Sequence, residues 1–216
     1  MIYDFIKRIV DIVSSILLII LFSPIMLVTA IITRLTSKGP ILVESTNSHM
    51  QRIGKKGKIF RLFKFRSMFV RADSSLENDP QFKILYEEYK KSNFKLHNDP
   101  RVTKFGKFIR KYSIDEMPQL FNVLKGDMSL VGPRPYHSDE LVKQKLKYPN
   151  TGQFIKDTQT VKPGITGYWQ VSGRSLVNFD KRIEMDAYYA KKKSLWMDLY
   201  IILKTPFVMI SGVGAV

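Results

Sequence analysis

Asp115 and Glu116 stand side by side in Ser113-Ile114-Asp115-Glu116-Met117-Pro118-Gln119-Leu120, two carboxylates placed just before a proline. An ionised carboxylate can attack phosphorus. Pro118 suits the first turn of a helix, where a missing N–H does little harm, and that helix is expected to run to Lys125 and stop at Gly126. Free N–H groups and aligned peptide dipoles at such a start favour ionised acids and bound phosphate. The same spacing has a plainer use, because Ser113 and Glu116 match the S-x-x-E of a capping box. On these residues alone, capping is the preferred reading.

Phosphate chemistry needs cations, and three segments offer them. Gly132-Pro133-Arg134-Pro135 clamps Arg134 between prolines on a stiff backbone, which suits bidentate recognition of phosphate. Lys162 to Arg174 is a second glycine-rich loop, with Tyr168 and Trp169 available to face a base or sugar. In 59–69, Phe63 and Phe65 alternate with Lys64 and Arg66, the pattern of a half-buried strand with a cationic face. Taken singly, each is equally a turn or strand with solvated charges. Arg110 ends a further predicted helix, marked by Phe105, Phe108, Ile109 and Tyr112 and opened by Asp99-Pro100-Arg101.

The elements that position these residues begin with an uncharged apolar run over 12–33, broken at its middle by Ser23-Pro24. At 1.5 Å per residue it reaches about 33 Å, enough to cross a bilayer core. Pro24 removes the N–H that would serve the Ile20 carbonyl, and the Ser23 hydroxyl is placed to serve an upstream carbonyl instead. Lys7 and Arg8 precede the run and Arg34 and Lys38 follow it, so the positive-inside preference puts both ends on one face. A bent, re-entrant hairpin satisfies that preference. A proline-kinked spanning helix is the alternative. Phe82, Leu85, Tyr86 and Tyr89 predict an amphipathic surface helix, and 195–210, with Trp196, Tyr200 and Phe207, predicts either an interfacial helix or a core one.

The chain of 216 residues has room for one compact domain beyond the anchor, with 1–38 read as anchor and 39–216 as catalytic domain. The absence of cysteine excludes disulfides and thiolate metal sites, and His49, His97 and His137 lack ligand spacing, so zinc is not expected. A net charge of +16 points to anionic partners: phospholipid headgroups, phosphorylated substrates or nucleic acid.

Taken in order, the landmarks resemble the bacterial sugar transferase family, the monotopic polyprenyl-phosphate phosphoglycosyl transferases. They are Lys7-Arg8 with Asp11, Ser23-Pro24, Gly39-Pro40, Lys64 to Met68, Asp99 to Arg101, Ser113 to Leu120, Gly132 to Pro135 and Pro163 to Arg174. The resemblance implies transfer of a sugar 1-phosphate from a UDP-sugar to a polyprenyl phosphate such as undecaprenyl phosphate, with release of UMP. It implies Asp115 as nucleophile, Glu116 assisting through Mg2+ held by both acids, and substrate contacts from Lys64, Arg66, Arg110, Arg134, Arg174 and Asp186. It further implies a mixed α/β, helix-rich fold with a small sheet and peripheral interfacial helices, seated on the cytoplasmic face of the inner membrane. Its length resembles the minimal form, without the extra membrane helices of larger relatives.

Membrane lipids are then expected partners, nucleic acid is not, and a homodimer is compatible. Met117 stands where the family commonly has leucine, and the link over 41–51 is several residues longer than usual. The rival class, a membrane-tethered protein that binds nucleic acid, leaves the acidic pair without a use.

Overall fold

The computed structural model describes residues 2–43, 51–70, 99–173 and 177–211. The apolar run lies within one helix, α1 (Ile2–Thr36), with Pro24 inside it. Its burial is inverted relative to a helix in water. Asp11, Ser15, Thr29 and Thr33 are buried against the chain, whereas Leu17, Ile20, Leu21, Leu27 and Leu35 are exposed. By length and composition this helix can cross a membrane.

The expected break is thus a single weakened rung in a continuous helix. The Ser23 hydroxyl donates to the Ile20 carbonyl at 2.8 Å, replacing the bond that Pro24 cannot make. Both halves of α1 are held by the same body of protein. Near its start, Lys7 meets Asp198 at 2.8 Å, Arg8 donates to the carbonyls of Val123 and Leu124, and Asp11 accepts from the Ser129 hydroxyl and the Leu130 amide. Further along, Met26 lies against Phe65 and Ile109, and Arg34 donates to the Gly39 carbonyl.

Among the described residues, two small sheets stand in place of the single one expected. β1 (Gln51–Ile53) pairs antiparallel with β2 (Ile59–Arg61), and β3 (Ser129–Val131) pairs parallel with β4 (Gly164–Thr166). Beyond Arg61 the predicted strand continues only as isolated bridges, Phe65 with Leu42 and Met68 with Val102.

The helices are α2 (Lys104–Lys111), α3 (Gln119–Lys125), α4 (Ser138–Lys147), α5 (Gly152–Thr158), α6 (Tyr168–Ser172), α7 (Phe179–Lys192) and α8 (Leu195–Ser211). α3 stops as predicted, at Gly126 in the left-handed region with φ 92°. The predicted helix around Phe82 to Tyr89 lies outside the described residues.

The main core joins Phe60 and Leu62 to Leu120 and Val123 of α3, Leu130 and Val131 of β3, Tyr189 of α7 and Ile201 of α8. α8 thus packs one face into the core, as the core reading of its sequence requires. Ile201 is fully buried, while Trp196, Leu203 and Phe207 are exposed on the remaining surface.

Candidate functional site

Asp115 lies in a 3-10 turn, Ile114–Glu116, ahead of α3 rather than within its first turn. Ser113 adopts the left-handed conformation, with φ 54°, and its side chain makes no capping bond. The capping box is therefore not formed. With its proposed partner elsewhere, Glu116 is free to turn toward Lys64.

Lys64 binds the pair together, its ammonium 2.9 Å from Asp115 Oδ2 and 3.3 Å from Glu116 Oε1. The extended chain carrying Lys64 is fixed next to the turn by the Phe65 amide, which donates to the Asp115 carbonyl at 2.9 Å. Asp115 is 2% exposed, and Glu116 has much the more open side chain.

Burial pushes the Asp115 carboxyl above its ordinary range, against the pull of Lys64 and with a further push from Glu116. Glu116 goes the other way. Its enclosure is outweighed by the charges of Lys64 and Arg134, which hold its carboxyl low. Two neighbouring acids driven apart in this way are suited to different tasks.

Arg110 and Arg134 complete the cationic surround. Arg110 donates from Nε to the Ser67 hydroxyl at 2.8 Å, and its charge reaches Asp115. The charge of Arg134 reaches Glu116, and its buried Nε has no hydrogen-bond partner.

The loop of Arg134 is set by close backbone contact between the two glycine-rich segments. The Gly132 amide donates to the Thr166 carbonyl and the Gly164 amide to the Pro133 carbonyl. A Cβ on Gly132 or Gly164 would collide with the facing backbone.

Asp186 is fully buried on α7 and accepts at Oδ2 from the Tyr136 hydroxyl, 3.0 Å, and the Arg134 amide, 3.2 Å. It touches the backbone of Arg134 and not the acid pair. Burial raises its carboxyl to about 8, despite those two donors.

Arg66 does not join the group. Its guanidinium is buried and donates to the carbonyls of Ser37, Lys38 and Pro40 and to the Ser37 hydroxyl. The turn after α1 covers the side of the chain that alternation had marked as a cationic face. Arg174 lies outside the described residues.

Arg52 joins the cationic surround although it is not among the residues singled out from the sequence. Its charge acts on Glu116 and Arg134, and its guanidinium lies 2.7 Å from His137 Nδ1. The Arg-x-Gly spacing at 52–54 was the available signal. Asp99 and Arg101 form a buried bidentate pair that pins the chain beside Phe69.

No cluster of three or more metal-ligating side chains occurs among the described residues. Two adjacent carboxylates still fit magnesium, which is commonly bound through one or two protein carboxylates with the remaining ligands from substrate phosphates and water. Lys64 now supplies the positive charge between them.

A family model described as bacterial sugar transferase matches residues 2–212. The undecaprenyl-phosphate galactose phosphotransferase of Salmonella typhimurium is 46% identical over 216 residues, 98% of this chain and 42% of that protein. The UDP-glucose:undecaprenyl-phosphate glucose-1-phosphate transferase of Klebsiella pneumoniae is 42% identical over 206 residues, 93% of this chain and 39% of its own length. The exopolysaccharide production protein ExoY of Rhizobium meliloti is 39% identical over 209 residues, 95% of this chain and 86% of its own length. The chain thus spans about two fifths of the first two relatives and most of the third.

Proposed function

The chain belongs to the bacterial sugar transferase family, and on that premise we propose that it transfers a sugar 1-phosphate from a UDP-sugar to undecaprenyl phosphate or a similar polyprenyl phosphate, releasing UMP. The observation that carries this reading is the buried Asp115 carboxylate, ion-paired to Lys64 with Arg110 and Arg134 around it.

In the first displacement an Asp115 oxygen attacks the sugar-bearing phosphorus. The P–O bond to the uridine phosphate breaks, and UMP leaves with that electron pair. In the second, an oxygen of the polyprenyl phosphate attacks the same phosphorus and the bond to Asp115 breaks. This restores the carboxylate and leaves the sugar diphosphate on the lipid.

A soluble donor and a lipid acceptor then need not occupy the site together. Arg110 and Arg134 orient the donor's phosphates and offset their charge. Lys64 favours the ionised carboxylate of Asp115 before the first displacement and after the second, and that of Glu116 throughout. Magnesium held by Asp115 and Glu116 would supply further neutralisation of the diphosphate.

Residues 1–38 serve as anchor and the rest as the catalytic domain on the cytoplasmic face of the inner membrane. Support comes from α1, whose start is tied to Asp198 and Leu124 and whose second half packs through Met26 on Phe65 and Ile109, so a crossing would carry bound protein with it. The proposed re-entrant hairpin requires α1, continuous in this structure, to bend in the bilayer, and the weakened Ser23-Pro24 rung is the place assigned to that bend.

Intact-protein mass spectrometry with donor alone tests the chemistry. A phosphosugar adduct on wild type, absent from Asp115→Asn, is expected. Release of UDP in place of UMP would make the protein an ordinary glycosyl transferase. A cysteine placed at position 3 tests the topology, because labelling in intact cells by an impermeant thiol reagent would establish a spanning helix.

A further inference from the structure

Away from the acid pair, Lys55, Lys56, Lys58 and Lys162 line a cavity of about 350 Å³, together with Gly54, Phe60, Gly126 and Asp127. Among the described residues, none of these four ammonium groups has a hydrogen-bond or ion-pair partner. Asp127 is the one acid in the lining, and Lys125 already meets it at 3.3 Å. The charges of Asp4, and of Asp11 and Asp127, reach Lys55 and Lys162 respectively, but four ammonium groups around one cavity, with Arg8 beside them, leave a positive excess whose repulsion a bound anion relieves.

The turn presenting three of them is held firmly. Gly54 N donates to the Lys58 carbonyl and Lys56 N to the Gln159 carbonyl, at 2.8 and 2.7 Å. Lys56 and Gly57 both take positive φ, 58° and 74°. A lysine in that region is uncommon and costs free energy. On the opposite wall, burial and the neighbouring Arg8 charge push the Lys162 ammonium below its ordinary value.

Position narrows the class of anion. Gly126 lies beside both the Arg8 guanidinium and the Lys162 ammonium. The cavity therefore adjoins the start of α1, where Phe5 and Ile9 are exposed. The acid pair belongs to another stretch of that helix, since Phe65, next to Lys64, contacts Met26. From Arg8 to Met26 is about 27 Å along the helix contour at 1.5 Å per residue.

We propose that this lysine-lined cavity binds the phosphate of an anionic membrane phospholipid and so fixes how the domain sits on the bilayer. The assignment rests on the membrane seating proposed above. Basic clusters beside a membrane helix attract such headgroups.

The test uses the full chain in nanodiscs of phosphatidylcholine with or without phosphatidylglycerol, with retained lipid counted by native mass spectrometry. Wild type is expected to keep phosphatidylglycerol selectively. Replacing Lys55, Lys56, Lys58 and Lys162 together by Ala should lower retention roughly tenfold or more, whereas replacing all four by Arg should preserve it.

A control of equal charge change, with Lys145, Lys147, Lys156 and Lys192 replaced by Ala, should behave as wild type. Unchanged retention in the cavity variant, or equal loss in the control, would overturn the site in favour of a diffuse field. Complete displacement of the lipid by millimolar inorganic phosphate in detergent would assign a soluble anion and equally overturn it. Incorporation of wild type into the discs reads the membrane seating separately, so a protein that inserts without lipid selectivity fails this inference alone.

Discussion

Asp115 and Asp186 are both buried carboxylates of one domain, yet their company is opposite. Asp115 faces the Lys64 ammonium at 2.9 Å, whereas Asp186 receives only neutral donors, the Tyr136 hydroxyl and the Arg134 amide. Burial raises both carboxyls, and at Asp186 the two neutral donors with the charges of Arg134 and Arg182 do not offset it, leaving that carboxyl at about 8. Near neutrality it is mainly a protonated group bracing the Arg134 backbone. Lys64 stabilises the charged forms of Asp115 and Glu116, and Glu116 stays low. Burial alone therefore does not mark a reactive acid. The cation beside it does.

The strongest attack on this contrast is to neutralise each acid in turn. Asp115→Asn is expected to lower UMP release about 10⁴-fold or more, with the circular dichroism spectrum unchanged. Asp186→Asn keeps an acceptor for Tyr136 and Arg134 and should cost at most about 10²-fold, the scale of a supporting group misplaced by about 1 Å. Equal losses in the two variants would erase the distinction. Chelation by EDTA comes next. Activity should stop and return with magnesium, measured as UMP release, while full turnover in chelated buffer would remove the metal from the proposal.

Lys64→Met sharpens the comparison by turning the Asp115 environment into one like that of Asp186. Turnover should fall roughly 10²-fold, the scale of losing one electrostatic partner at a reacting centre. The acid limb of the pH–rate profile should move up by about one unit as Asp115 loses its cation. An unmoved limb would mean that Lys64 does not hold the acids ionised.

The smallest effect is on stability. The folded Asp186 carboxyl lies at about 8, against an ordinary 3.8, so between these values the unfolded chain has released a proton that the folded one keeps. Its contribution is full below about pH 4, declines as pH rises and is exhausted above about pH 8. Asp186→Asn removes this slope. Its Tm relative to wild type should therefore be higher at pH 8 than at pH 5, by thermal melts in matched buffers.

Local signals were legible where the chain decides them locally. The apolar run, α2, the stop of α3 at Gly126 and the two glycine-rich loops all follow from short-range pattern and turn chemistry. Arg66 was misread because alternation tells which side of a strand a residue takes, not that the Ser37–Pro40 turn covers that side. The S-x-x-E spacing at Ser113 was compatible with a cap, but the pairing of Glu116 with Lys64, 52 residues away, draws the acid to a different partner. Arg52 and the contact of Asp186 with Arg134 depend on packing between distant segments, which no window of sequence contains.

The tethers of α1 also impose an order in time. Lys7 is bound by a residue 191 positions later, Arg8 by carbonyls 115 and 116 later and Asp11 by a hydroxyl 118 later. Synthesis runs from the N-terminus, so under the membrane seating proposed above the helix would meet lipid before its polar partners exist. During that interval Asp11 and Arg8 must stay at the water boundary, which favours a shallow first insertion over a deep one. On that reading the domain would close on a helix whose depth is already set, with Asp198, among the last of these partners to be made, completing the tethers.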